Sequence, residues 1–595
     1  GSAITQTTPV TTSAGSIFIY PSTTYAGAGA LTSTLGAVTI SGGSSISPTA
    51  AISAAGNITL SGSGAFTNST AAIDSSGGAI SITSSAGALT TSAALTAQTN
   101  VSLSSAANMT VGSTVTAGNR VSLEALGTAT TSLNANIAAG SGGILVKSAG
   151  RISSNNGTSA AVPRLFGTSG GPITLWTTSS SGGVELGNFN QLSTIQSSAG
   201  GADITIGGGA ETSAGSNRPS GNAASSTGHG IQLGTRGSSF QTNDFVVRAG
   251  TGHFSAKGAY TGGTSGSLSG IEMRPGFNIL AGTVTLNGET SSTNGTTDQA
   301  GIDIYEDAGS VKSVLEATKS FSDFENAINI SASSSSVHAA LLGPSNTSTD
   351  NITLRASGDK AGLSISGSTS RAGSFGLWLA SLTIETKNGR TTINSGDDSL
   401  SLGRDSGRIF TFEPVSGQVG GDLAITTANL VDSTHMSLST AGAVSFSPNS
   451  TSFDGAESFP TSSSAVSVGS LTVGSVNNTS DMTLAAATSS TGDITVYGGA
   501  ITVSANQTST GVGGDIQIFG TSISNSGTLT STSADILLKA DTMALSATVS
   551  AASGAVTIAP RTDALQINLG TEVSGRLSLV AAEINRLVAD VVRIG

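Results

Sequence analysis

The chain is 595 residues long and carries a formal net charge of −12; it is 10% charged and 4% aromatic, with 80 glycines and no cysteine. These figures argue against dense ion-pair networks, and they exclude disulfides, thiolate metal sites and cysteine nucleophiles. With only 23 Lys plus Arg and no basic cluster, nucleic acid is not an expected partner, and no apolar run approaches the roughly 18 residues of a membrane span.

In chain order, the first recognisable element is a small unit, Gly-x-(Val/Ile/Leu)-(Thr/Ser)-(Ile/Leu). It reads Gly36-Ala37-Val38-Thr39-Ile40, then Gly56-Asn57-Ile58-Thr59-Leu60, then Gly78-Ala79-Ile80-Ser81-Ile82, with variants at Val101-Ser102-Leu103 and Val121-Ser122-Leu123. A period of about 20 residues marks a solenoid, whose layers bury their apolar faces only against one another. Within each unit the apolar residues sit two apart, the period of a half-buried strand. Parallel stacking would place Val38, Ile58, Ile80, Val101 and Val121 in one interior file and Thr39, Thr59, Ser81, Ser102 and Ser122 in one exterior file. The connecting stretches, rich in Ser, Thr, Gly and Asn, make poor helices. The expected fold is therefore all-β, a parallel β-helix with coils of about 20 residues, right-handed by the general preference of parallel crossovers. The leading Gly or Asn is expected at tight corners, where positive φ is often needed and a Cβ is costly.

Residues 1–160 keep this period. Over 161–470 it loosens, as where Gly171-Pro172-Ile173-Thr174-Leu175 is followed closely by Gly183-Val184-Glu185-Leu186. Insertions of this kind become loops on one face of a solenoid, often the face that binds. Within this region, 310–327 is unusually charged and places Val311, Val314, Leu315, Thr318, Phe321 and Phe324 near a helical stripe, so a short helix or compact loop is expected there. Trp176 and Trp378 read as packing residues rather than ligand platforms. From 471 to 595 the period returns, at Gly492-Asp493-Ile494-Thr495-Val496, Gly514-Asp515-Ile516, Ala534-Asp535-Ile536 and Gly554-Ala555-Val556-Thr557-Ile558.

The last stretch differs. Ala582-Glu583-Ile584-Asn585-Arg586-Leu587 followed by Val592-Arg593-Ile594-Gly595 resembles a recurring element of giant bacterial surface proteins with filamentous-haemagglutinin-like β-helical repeats, and the opening Gly1-Ser2-Ala3-Ile4-Thr5-Gln6 is similar to a repeat start in them. The resemblance implies a secreted or cell-surface β-helical fibre used in adhesion or biofilm. No amino-terminal secretion domain of the haemagglutinin kind is found in this sequence.

Catalytic chemistry finds little support. Gly228-His229-Gly230 and Gly396-Asp397-Asp398 resemble two polygalacturonase motifs, but in reversed order and about eight coils apart, near 40 Å at ~4.8 Å per layer. His229, His253, His338 and His435 stand alone, with no metal-ligand spacing, and Gly200-Gly201-Ala202-Asp203 lacks the spacing of a calcium nonapeptide. The exterior Thr/Ser file is one mixed rank rather than the two regular Thr ranks an ice-binding face needs. No catalytic, cofactor or metal residues are assigned. The expected function is a structural extracellular fibre or adhesin segment, continuing in a longer chain or assembling end to end with copies of itself through Ala3, Ile4, Thr5, Val591, Val592 and Ile594. The rivals are a module binding glycans or a surface through the irregular middle, and a β-helical polysaccharide-degrading enzyme.

Overall fold

The computed structural model describes residues 2–154, 164–179, 182–187, 193–198, 200–211, 219–226, 228–234, 245–262, 268–291, 300–304, 312–335, 338–343, 352–371, 373–404, 407–431, 433 and 435–595. The chain divides into two compact units, Gly1–Leu315 and Glu316–Gly595.

In the first unit each regular coil has three short strands. Thr24–Gly27, Leu31–Ser33 and Val38–Ser41 pair in parallel with Ser45–Pro48, Ile52–Ala54 and Ile58–Gly62 one coil on, so the unit is a parallel β-helix with three faces. The expected files are observed: Val38, Ile58, Ile80, Val101 and Val121 are register partners in turn and fully buried, while Thr39, Thr59, Ser81, Ser102 and Ser122 form the adjoining outward rank. β-Branched residues pack well on such a pleated wall.

The corners have their own chemistry. Ser33, Ser75 and Ser105 are buried at the ends of strands, and their hydroxyls donate to the carbonyls of Gly15, Gly56 and Gly87 in the preceding coil at 2.7, 2.8 and 2.9 Å. A buried serine is tolerated because its bond across the coils is made. Of the two demands expected at these corners, positive φ does not arise at Gly36, Gly56 and Gly78, and the cost of a Cβ does. Their requirement is close approach: a Cβ on Gly36 would meet the Gly15 carbonyl oxygen at 2.5 Å, and one on Gly78 the Gly56 carbonyl carbon at 2.6 Å.

Beyond Val121 the coils lengthen. Ile144 pairs with Ile173, Ile173 with Ile204, Ile204 with Phe254 and Phe254 with Val284, so coils of about 20 residues give way to coils of about 30 or more. Larger interiors are filled by larger side chains: Phe166, Phe245, Phe254 and Phe277 are fully buried.

The second unit repeats the architecture. Ile328, Leu363, Thr391, Leu423, Val444, Leu471, Ile494, Ile516, Ile536 and Val556 follow one another as register partners down one face. Of the short helix or compact loop expected within 310–327, the described part forms no helix, and a loop spans only 318–324. Ser313–Ala317 is a strand with Ser313, Leu315 and Ala317 buried, and Glu325–Ser334 is a second strand after a short loop; Val311 lies outside the described residues. Ladder pairing follows the two-residue alternation and overrides the helical spacing, leaving Phe324 exposed in the loop. Among the described residues the one α-helix is the single turn Ala581–Ile584.

Candidate functional site

In the first unit, four strands of one face carry the triads Val184-Glu185-Leu186, Ile231-Gln232-Leu233, Ile271-Glu272-Met273 and Ile302-Asp303-Ile304. They stack so that Glu185, Gln232, Glu272 and Asp303 form one file in the outward slot that elsewhere holds Thr or Ser. Outward does not mean solvated here: Gln232 is 3% exposed and Glu272 2%. Buried charge needs partners. The Glu272 carboxylate is paired with both the His229 imidazole and the Arg274 guanidinium, Arg151 pairs with Glu185, and His229 Nδ1 accepts the Ser269 N–H at 3.0 Å. Gln232 Nε2 has no acceptor among the described residues. Sequence reasoning passed over this file, although its signal is visible as four apolar-polar-apolar triads whose middle residue changes from hydroxyl to acid or amide.

In the second unit, an outward position of the strand Phe375–Leu379 is aromatic. Phe375–Leu379 buries Leu377 and Leu379 and turns Trp378 outward, half-buried, beside Leu341 on one neighbouring strand and Ser401 on the other. Phe375 and His338 lie with ring centroids 5.4 and 5.7 Å from that of Trp378, and the Arg404 guanidinium sits 5.6 Å from the same ring. The Trp378 indole N–H and the Ser401 hydroxyl are buried without a hydrogen-bond partner among the described residues, and Ser401 is 1% exposed. Each such group costs about 1–3 kcal/mol relative to a satisfied one. Trp176 behaves differently. It is 3% exposed, its indole donates to the Gly209 carbonyl at 2.8 Å, and Lys147 lies over its ring, as a packing residue should. The packing role expected of both tryptophans thus holds for Trp176, whereas Trp378 belongs to an outward cluster with unmet polar groups.

A third cluster lies on another face of the second unit. Arg355 grips Glu385 in a two-pronged pair at 2.6 and 3.2 Å and reaches Glu316 at 3.4 Å. The hydrogen bond to Glu385 raises the Arg355 pKa above its ordinary value. Glu413, next in the file, has its carboxyl pushed up by burial and then by the Glu385 charge.

The residues of the polygalacturonase-like fragments are held by bonds within separate units. His229 is held by Glu272 and Ser269 in the first unit. In the second, the Asp398 carboxylate accepts the Thr369 N–H at 2.7 Å and Asp397 accepts the Asn449 amide at 2.6 Å. Burial raises the Asp398 carboxyl above its usual range, against the Thr369 bond. His253 bonds Thr283 at 2.7 Å. Among the described residues, no group of three or more His, Asp or Glu is placed to hold a metal ion. Of the residues named for assembly, Ile4 and Thr5 lie in the strand Ile4–Gln6 against Tyr25–Gly27, with Ala3 exposed just before it; Val591, Val592 and Ile594 lie in Leu587–Ile594, pairing with Ala555, Val556 and Ile558. Comparison with protein families, curated proteins and solved structures finds no match to this chain.

Proposed function

We propose that the chain is a structural segment of an extracellular or cell-surface fibre or adhesin, built for stiffness and for presenting its outer faces. One observation supports this above the others. In each unit the coils are joined rung on rung by parallel backbone ladders around fully buried Val, Ile and Leu files, with Ser and Thr outside. Such a stack resists extension along many parallel hydrogen bonds, and its stability is a sum of neighbouring layers. The resemblance of the Ala582 to Gly595 stretch to filamentous-haemagglutinin-like proteins points the same way.

Force spectroscopy on the full chain tests the mechanical part: unfolding should proceed in small successive steps at sustained force. Antibody labelling of intact producing cells should find the chain on the surface. Collapse in one low-force event, labelling only after lysis, or turnover of a polysaccharide abolished by a single Glu, Asp or His substitution would defeat the proposal.

A further inference from the structure

We propose that Trp378, Phe375 and His338, with the Ser401 hydroxyl, form a subsite for one pyranose ring of a neutral oligosaccharide. This goes beyond the scaffold reading and does not depend on it. Three aromatic rings gather on the outward side of the strands His338–Leu342 and Phe375–Leu379, with centroid separations of 5.4, 5.4 and 5.7 Å. The surrounding core is complete without them, because Leu342, Leu377, Leu379, Leu400 and Leu402 already fill the interior. An aromatic cluster outside the core therefore answers a different requirement.

The polar atoms indicate which one. A purely apolar occupant would leave the Trp378 N–H and the Ser401 hydroxyl unsatisfied, the condition in which they now stand. A highly charged occupant has little reason to choose an aromatic surface beside which Arg404 already lies against the indole ring. A pyranose supplies both complementary parts. Its axial C–H bonds present a weakly positive face to the negative face of an aromatic ring, and its hydroxyls accept from an indole N–H and exchange hydrogen bonds with a serine. Ser401 is the register partner of Trp378 one strand along, which sets ring and hydroxyl about 5 Å apart along the ladder, the span of one sugar; both polar atoms are covered, so the sugar bonds them only as the half-buried Trp378 side chain shifts.

The chain has two tryptophans, so Trp176→Phe leaves Trp378 as the only indole reporter. Titrating that full-length protein with neutral gluco-, manno- and chito-oligosaccharides should give a saturable fluorescence change with at least one series. Against the responding sugar, immobilised and probed with otherwise native protein, Trp378→Ala should weaken binding at least about tenfold. Trp378→Phe, which keeps a ring and loses the N–H, and Ser401→Ala should each fall between wild type and Trp378→Ala. Circular dichroism and melting unchanged from wild type confirm that the fold survives, and the force profile under "Proposed function" is expected to be unaffected. No fluorescence response to any neutral series, a response confined to uronate or sialylated sugars, or binding unchanged in a folded Trp378→Ala protein would overturn the proposal.

Discussion

At the scale of single residues, the corners decide more than the strand units suggest. Buried serines bond back to the previous coil, and side-chain carboxylates do the same work outside. Asp493 accepts the Asp515 N–H, Asp515 that of Asp535, and Asp535 that of Ala555, at 3.0, 3.0 and 2.7 Å. Glu457 does so from a buried position. It is 3% exposed, and both its carboxylate oxygens accept the Leu430 N–H, at 3.1 and 3.2 Å. Burial pushes its pKa from 4.5 up to about 7, helped by the Asp454 charge and opposed by the Leu430 bond. A carboxyl with a raised folded-state pKa favours folding when protonated. Its contribution is therefore full below about pH 4.5 and is lost as pH rises through about 7, with a span on the order of 3 kcal/mol. Hydrogen exchange of the 429–484 coils should thus show greater protection at pH 5 than at pH 8. Glu457→Gln should flatten that difference and slow exchange at pH 8; an unchanged pH profile in the variant would refute the assignment.

At the scale of elements, the same glutamate explains how one face changes sheets. In the second unit one sheet ends at Asn429–Leu430, and a separate five-stranded sheet runs from Glu457–Ser458 to Thr542–Leu545. Glu457 bridges the first break with a side chain in place of a backbone carbonyl. At the far edge, Glu583 accepts the Leu545 N–H at 2.9 Å while its other oxygen accepts the Val580 N–H at 2.9 Å, and Arg586 donates to the Leu545 carbonyl at 2.5 Å. The Ala582 to Leu587 motif thus sets one helical turn, with Glu583 in it and Arg586 just after it, where a strand would continue, and the two charged side chains satisfy the N–H and the carbonyl of Leu545 at that edge. Glu583→Ala should cost roughly 1–3 kcal/mol locally and raise exchange at the Leu545 amide. Glu583→Gln should lose less, because its carbonyl oxygen still accepts; equal exchange in all three proteins would show the edge does not need the acid.

At the scale of the whole molecule, the quasi-one-dimensional build of each unit makes damage local. Val556 is fully buried and Thr557 faces outward in the same strand. Val556→Asp buries an unpaired carboxylate and should cost at least about 3 kcal/mol, whereas Thr557→Asp should stay within about 1 kcal/mol. In the first variant, exchange should rise in the adjoining rungs Ile536–Lys539 and Leu587–Ile594 and remain unchanged at Met436–Ser439. Equal protease sensitivity of the two variants would mean the register is misassigned, and loss of protection throughout the unit would mean its coils are not independent.

The sequence alone determined the fold, because a two-residue alternation repeated at a near-constant interval leaves a stacked parallel strand as the arrangement that buries Val38, Ile58, Ile80 and their successors together. Alternation also announced, to a reader attending to the middle slot, the acidic file from Glu185 to Asp303 and the outward direction of Trp378. Only the tertiary structure decided what those outward residues meet. Whether an outward side chain is solvated, as Thr557 partly is, or covered, as Glu272 is, depends on coil length and on what lies over the face. Contacts between coils join residues far apart in sequence: Trp176 found its acceptor at Gly209, while Trp378 has none among the described residues. The 310–327 segment went the other way for the same reason, since a helical stripe is a local property and the ladder that recruited Ser313–Ala317 is not.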